Sequence, residues 1–335
     1  VASSLSELTE LEPGQSQSLI TRMIVMQPAL WTPETPFLYT IRTELQSENG
    51  VVFDSRETRI GLRTIRITPD KGLLLNGQPI RLVGTNRNQE YPYIGYALSD
   101  EASYRDAFKI REAGFNIVRS PHSPPSAAFL DACDELGLMV ISKIPGWQLT
   151  GDSLFTEAAV HDTRLLCRRD RNHPSVVMWE ASLNEESVPL SFLSQLDQAV
   201  KEELPFGNNH FCSRMDSECG IFIPATEASD IMDIFRLPTT EYWFYRSQYD
   251  KGPVCYIANY NLPESGNTVR IFSNADTVRL FRNDTLIAVQ GPDMDSMALN
   301  LPHPPYTFTL PGYLPGTLRA IAIRKGAEIA SHSVT

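Results

Sequence analysis

Four short runs hold the side chains that could do chemistry. They are Asn86-Arg87-Asn88-Gln89-Glu90-Tyr91, Arg119-Ser120-Pro121-His122, Lys143-Ile144-Pro145-Gly146-Trp147-Gln148 and Ser182-Leu183-Asn184-Glu185-Glu186. Together they offer planar amides, guanidinium groups, an imidazole, an indole and carboxylates. This mixture suits a polyhydroxylated ligand, because amides and Arg bind hydroxyls while an indole covers the apolar face of a sugar ring. A carboxyl group among them is a natural proton donor to a leaving-group oxygen.

Each run follows a segment that reads as a β-strand, and in β/α architectures active groups cluster past the carboxyl ends of the strands. Phe115-Asn116-Ile117-Val118-Arg119, Leu138-Met139-Val140-Ile141 and Ser175-Val176-Val177-Met178-Trp179 are apolar strands. Helices separate them. One covers Asp100 to Ala113 with Ser99 as cap, one runs from Ser126 to Leu136 and stops at Gly137, and one ends near Arg169. Apolar strands spaced by helices imply buried parallel strands. Before them lies a hairpin, Gly72-Leu73-Leu74-Leu75 returning through Asn76-Gly77, a pair that tolerates positive φ. Residues 1–66 alternate polar and apolar with period two, as do the runs after about Gly252, so a β-sandwich is expected at each end, whole or partial at the first.

Composition narrows the functional classes. The 335 residues predict two to three domains. Forty Asp plus Glu against 29 Lys plus Arg give a net charge of -11, which repels phosphate backbones and disfavours nucleic acid. No apolar stretch approaches the ~18 residues needed to span a bilayer. The chain starts Val1-Ala2-Ser3-Ser4-Leu5 and reads as a piece of something longer. Five scattered cysteines without a C-x-x-C pair point to buried thiols, and Cys212 and Cys219 make no zinc site. No nucleotide-binding or hydrolase-elbow motif is present.

Arg169-Asp170-Arg171-Asn172-His173-Pro174-Ser175-Val176, running into Trp179 and then Asn184-Glu185, resembles the signature of glycoside hydrolase family 2. Gly84-Thr85-Asn86-Arg87, Phe115 to Arg119 with His122, and Leu130 to Leu138 resemble three further blocks of that family's barrel, in the same order. The resemblance implies a (β/α) barrel of TIM type, expected here to be incomplete, between immunoglobulin-like β-sandwiches. The expected domains are 1–66, 67–240 and 241–335. It also implies retaining hydrolysis of terminal β-glycosides, a β-galactoside being favoured. By the same resemblance Glu185 is the general acid/base and Asn184 binds near the sugar 2-hydroxyl. Arg119 and His122 shape the sugar subsite, with Asn86 and Trp147 as further binding residues; a core position for Trp147 is the competing reading.

A retaining enzyme needs a second carboxylate roughly 5 Å from the first. The family's nucleophile ends the seventh barrel strand, but the interval from Glu185 to Asp233 is too short for four β/α units of ~20 residues each. An internal deletion near Ala225-Thr226-Glu227 is expected, with Ser217-Glu218-Cys219-Gly220 echoing the nucleophile motif and Glu218 as a weak candidate. A catalytically impaired carbohydrate-binding or scaffold remnant of such an enzyme is the alternative reading. No cofactor is implied, and no metal, since Ile144-Pro145-Gly146-Trp147 replaces the Mg²⁺ ligands of β-galactosidases. His173 is expected to hydrogen-bond backbone at the entry to the fourth strand. Self-association stays open, as does the compartment, whether cytoplasm, periplasm or exterior.

Overall fold

A computed structural model describes the whole chain except Pro69, His122, 147–150, 181–188, 205–209, 212–230 and Met297; for 210 and 211 it describes the backbone. It divides into two units, Val1–Leu82 with Ile117–Ser217, and Val83–Asn116 with Glu218–Thr335.

In the first unit, the apolar runs form parallel strands Ile117–Ser120, Met139–Lys143, Val176–Glu180 and His210–Phe211, paired side by side in chain order. Every residue of the Met139–Lys143 and Val176–Glu180 strands is buried. Such strands are covered on both faces, which is why the sequence there is continuously apolar rather than alternating. Helices Ala127–Leu136, Ser153–Asp170 and Leu190–Glu203 connect them. The Ser126 hydroxyl caps the first of these by accepting from Phe129 N at 3.2 Å, and Gly137 ends it in the left-handed conformation at φ 70°.

A three-stranded antiparallel sheet, Ile65–Thr68, Gly72–Leu75 and Gln78–Pro79, carries Leu73 and Leu75 into the core with Ile117, Met139, Ile141, Met178 and Trp31. Its turn has positive φ at both Asn76 (53°) and Gly77 (79°), as the dipeptide predicted. The Asn76 side chain adds a second function, since its Oδ1 accepts from Thr64 N and its Nδ2 donates to Trp31 O.

Of the sandwich expected over 1–66, the structure shows one antiparallel ladder, Tyr39–Gln46 with Val52–Ile60. Most of Val52–Ile60 is exposed, so no second sheet covers it among the described residues. Trp31 ties this part down: it is fully buried and its indole Nε1 donates to Asp134 O at 2.9 Å.

The second unit begins with the Gly84–Asn86 strand and the Asp100–Glu112 helix, whose Ser99 hydroxyl accepts from Ala102 N at 3.3 Å. Beyond helix Thr240–Ser247 lie two antiparallel sheets, one of Cys255–Ala258, Thr268–Ser273 and Tyr306–Thr309, the other of Thr285–Gln290, Thr277–Arg282, Leu318–Arg324 and Ala327–Val334. Ile257, Ile271, Tyr306 and Phe308 of one share a core with Val278, Leu280, Ala320 and Ala322 of the other, which makes this a β-sandwich. Among the described residues no helix is long and apolar enough to cross a membrane.

Candidate active site

Residues paired across parallel strands share a face of the sheet, and residues two apart on one strand do too. Ile117 pairs with Met139, Arg119 with Ile141, and Lys143 with Glu180. Ile117, Met139, Ile141 and Met178 therefore form an apolar layer with Leu73 and Leu75, and the next layer toward the strand ends is charged. Lys143 and Glu180 supply that layer, and the Arg119 side chain, from a backbone position level with Ile141, reaches into it. The Arg119 guanidinium donates through Nε to Glu180 Oε2 at 2.6 Å and through Nη2 to Oε1 at 2.7 Å. Lys143 Nζ lies 3.8 Å from Oε1. The Glu180 and Lys143 side chains are 3% and 0% exposed, and Arg119 retains 12%. A buried carboxylate is tolerated only when paired and hydrogen-bonded, and the bidentate fork meets that condition.

The strand that ends at Glu180 is anchored at its other end. Asp134 accepts from Ser175 N at 2.9 Å through Oδ1 and pairs through Oδ2 with His173 Nδ1 at 2.7 Å. Burial alone would lower the His173 pKa; the hydrogen bond and charge of Asp134, aided by Asp170 and Asp131, outweigh it and hold the imidazole above its ordinary value. His173 is structural, as expected, but its ring binds a carboxylate and not backbone. Arg63 donates to His173 O and, at 2.7 Å, to Val176 O, and burial pushes its pKa down to about 10. Asp131, Asp134 and His173 lie close enough to ligate a cation. Both Asp134 oxygens are instead spent on His173 and Ser175, and Asp131 accepts from Arg59 at 2.9 Å.

The second unit holds a cavity of about 300 Å³ lined by Asn86, Asp106, Lys109, Phe115 and Arg236 among others. Buried Asp106 receives Arg87 Nε at 3.1 Å and Arg236 Nε at 3.2 Å. Arg236 also donates to the carbonyls of Asn88 and Glu90, at 3.0 Å each, which shapes the loop after the Gly84–Asn86 strand.

Of the residues singled out from the sequence, Arg119 stands at a strand end in the charged layer and Asn86 lines the cavity of the other unit. Asn184, Glu185, His122, Trp147 and Glu218 lie outside the described residues. Glu180 escaped the sequence reading, and Lys143, though it opens one of the four runs, was given no role there. Their signal was available: each is a charged residue closing an apolar strand, Val140-Ile141-Ser142-Lys143 and Val177-Met178-Trp179-Glu180.

Comparison with known proteins adds three findings. The family description "Glycosyl hydrolases family 2, TIM barrel domain" matches residues 65–205, "Glycosyl hydrolases family 2" matches 2–63, and a domain of unknown function, DUF4982, matches 266–330. A β-galactosidase of Thermoanaerobacter pseudethanolicus is 28% identical over 430 residues, covering 98% of this chain and 58% of that protein. Another β-galactosidase, from Thermoanaerobacterium thermosulfurigenes, is 38% identical over 174 residues, 52% of this chain and 24% of that protein. Among solved structures, Bacteroides uniformis beta-glucuronidase 2, covalently bound to cyclophellitol-6-carboxylate aziridine, has a TM-score of 0.76 at 19% identity, over 95% of this chain and 54% of that one. The chain thus spans little more than half the length of these longer relatives.

Proposed function

Because the chain belongs to glycoside hydrolase family 2, we propose that it derives from an enzyme hydrolysing terminal β-glycosides with retention, β-galactosides first, with Glu185 as general acid/base. One observation carries the reading. The Asn184-Glu185 pair follows, within five residues, a strand whose last residue is clamped to Arg119 in a charged layer above an apolar one. Strand termini that carry polar groups over a packed interior are where barrel enzymes do their chemistry.

In this scheme Glu185 in its acid form protonates the glycosidic oxygen as a second carboxylate attacks the anomeric carbon and the aglycone leaves. Glu185, now a carboxylate, takes a proton from water; the water oxygen attacks the anomeric carbon and frees the second carboxylate. Asn184 and Arg119 hold the ring hydroxyls. The two β-galactosidases among the relatives support a galactoside as the substrate. The alignment with the first β-galactosidase runs over 430 residues against 335 here, so roughly a hundred positions of that relative, in one gap or several, have no counterpart. This supports an internal deletion, which the length of the interval from Glu185 to Asp233 puts in the second half of the barrel; the nucleophile is then unassigned, with Glu218 as a weak candidate. Hydrolysis of a chromogenic β-galactoside by the chain and by Glu185→Gln tests the proposal.

A further inference from the structure

We propose that Glu180 is a positioning residue that aims one amino group of Arg119 at the bound sugar, so that the Glu180–Arg119 fork sets which ring hydroxyl the site demands. The inference rests on the sugar-site reading above and goes beyond it, because that reading used the Glu180–Arg119 fork only to mark the strand end and gave Glu180 no part in recognising the sugar.

A free Arg side chain has many rotamers, and a hydroxyl is recognised well only by a donor held in place. Glu180 engages Nε and Nη2 at 2.6 and 2.7 Å, using both of its oxygens. Two parallel hydrogen bonds to a planar fork fix the guanidinium in plane and in rotation. Nη1, with its two N–H donors, makes no hydrogen bond to any described residue, and the side chain keeps 12% of its surface exposed at the strand end. The fork thus leaves one donor edge open and directs it. Lys143, fully buried at 3.8 Å from Oε1, holds the Glu180 carboxylate in turn. The three groups come from adjacent strand ends, so the sheet itself supplies the rigidity.

The experiment measures dissociation constants of methyl β-galactoside and its monodeoxy analogues for the full chain, for Glu180→Gln and for Glu180→Asp. A site built around a charged donor rejects the analogue that lacks the matching hydroxyl, by about tenfold or more. In the parent chain one analogue should therefore bind about tenfold more weakly than methyl β-galactoside. In Glu180→Gln, which fills the same space but cannot hold the charged fork, that ratio should fall to about threefold or less at that position alone. Glu180→Asp keeps the charge, and with it the fold, yet shortens the reach by one methylene; it should lower the same ratio. A purely structural role would weaken all ligands together and leave the ratios unchanged. That pattern, or parent-like ratios in both variants, overturns the proposal while leaving the sugar site standing. A parent chain that binds none of the sugars overturns the sugar-site reading and this inference with it.

Discussion

Asp134 offers the sharpest test of how the strand that ends at Glu180 is held. Replacing it with Ala removes the acceptor for Ser175 N at 2.9 Å and the partner of His173 Nδ1 at 2.7 Å, in a side chain only 3% exposed. A hydrogen bond to a charged group contributes about 1.5–3 kcal/mol, and a buried donor left unpaired costs about 1–3 kcal/mol. The expected loss is about 3–5 kcal/mol, a large share of the usual 5–15 kcal/mol of a domain. Asp134→Asn keeps the shape and the acceptor for Ser175 and loses only the charge, so about 1–2 kcal/mol is expected. The pH dependence gives a second readout. The His173 pKa is higher in the folded chain than in the unfolded one, so the pair's contribution is fully present below pH ~6.5 and is lost as pH rises through the folded value. Asp134→Asn should flatten that part of the stability profile. Urea unfolding followed by tryptophan fluorescence at pH 5.5, 7 and 8.5 measures both effects. An Asp134→Ala variant within 1 kcal/mol of the parent, or an Asp134→Asn profile with the parent's slope, would refute the reasoning.

Two further outcomes are expected. Gly137→Ala should lose about 2–4 kcal/mol in the same unfolding assay, because φ is +70° there and a Cβ would run into the backbone of Pro33; a neutral substitution would show that the contact yields freely. Cys133, Cys167 and Cys255 are buried, and burial pushes the thiols of Cys167 and Cys255 up to about 12. All three should resist a thiol reagent at pH 8 until the chain unfolds, as read by peptide mass mapping; fast labelling of Cys167 in the native chain would contradict their placement.

Local signals made much of the scaffold readable from sequence. Asn76-Gly77 marked its turn, Ser99 and Ser126 marked helix starts, and Gly137 marked a helix end, because each acts on its own few neighbours. The parallel strands were visible as apolar runs for the same reason. The charged layer was harder to read, since Arg119 and Glu180 are 61 positions apart and their meeting depends on strand register. The Arg236–Asp106 pair spans 130 positions and is equally invisible to a local pattern. The N-terminal alternation was read correctly as strands at Tyr39–Gln46, but a period of two cannot tell a covered face from an exposed one, which is why it left open whether the sandwich there is whole or partial.

The central claim is that a carboxyl group at position 185 moves the proton at a glycosidic oxygen. Turnover of a chromogenic β-galactoside by the parent chain should fall by about 10²–10⁴-fold in Glu185→Gln, the span a positioned acid/base contributes, with the unfolding midpoint unchanged. Equal rates in the two proteins, whether both active or both at background, would contradict it.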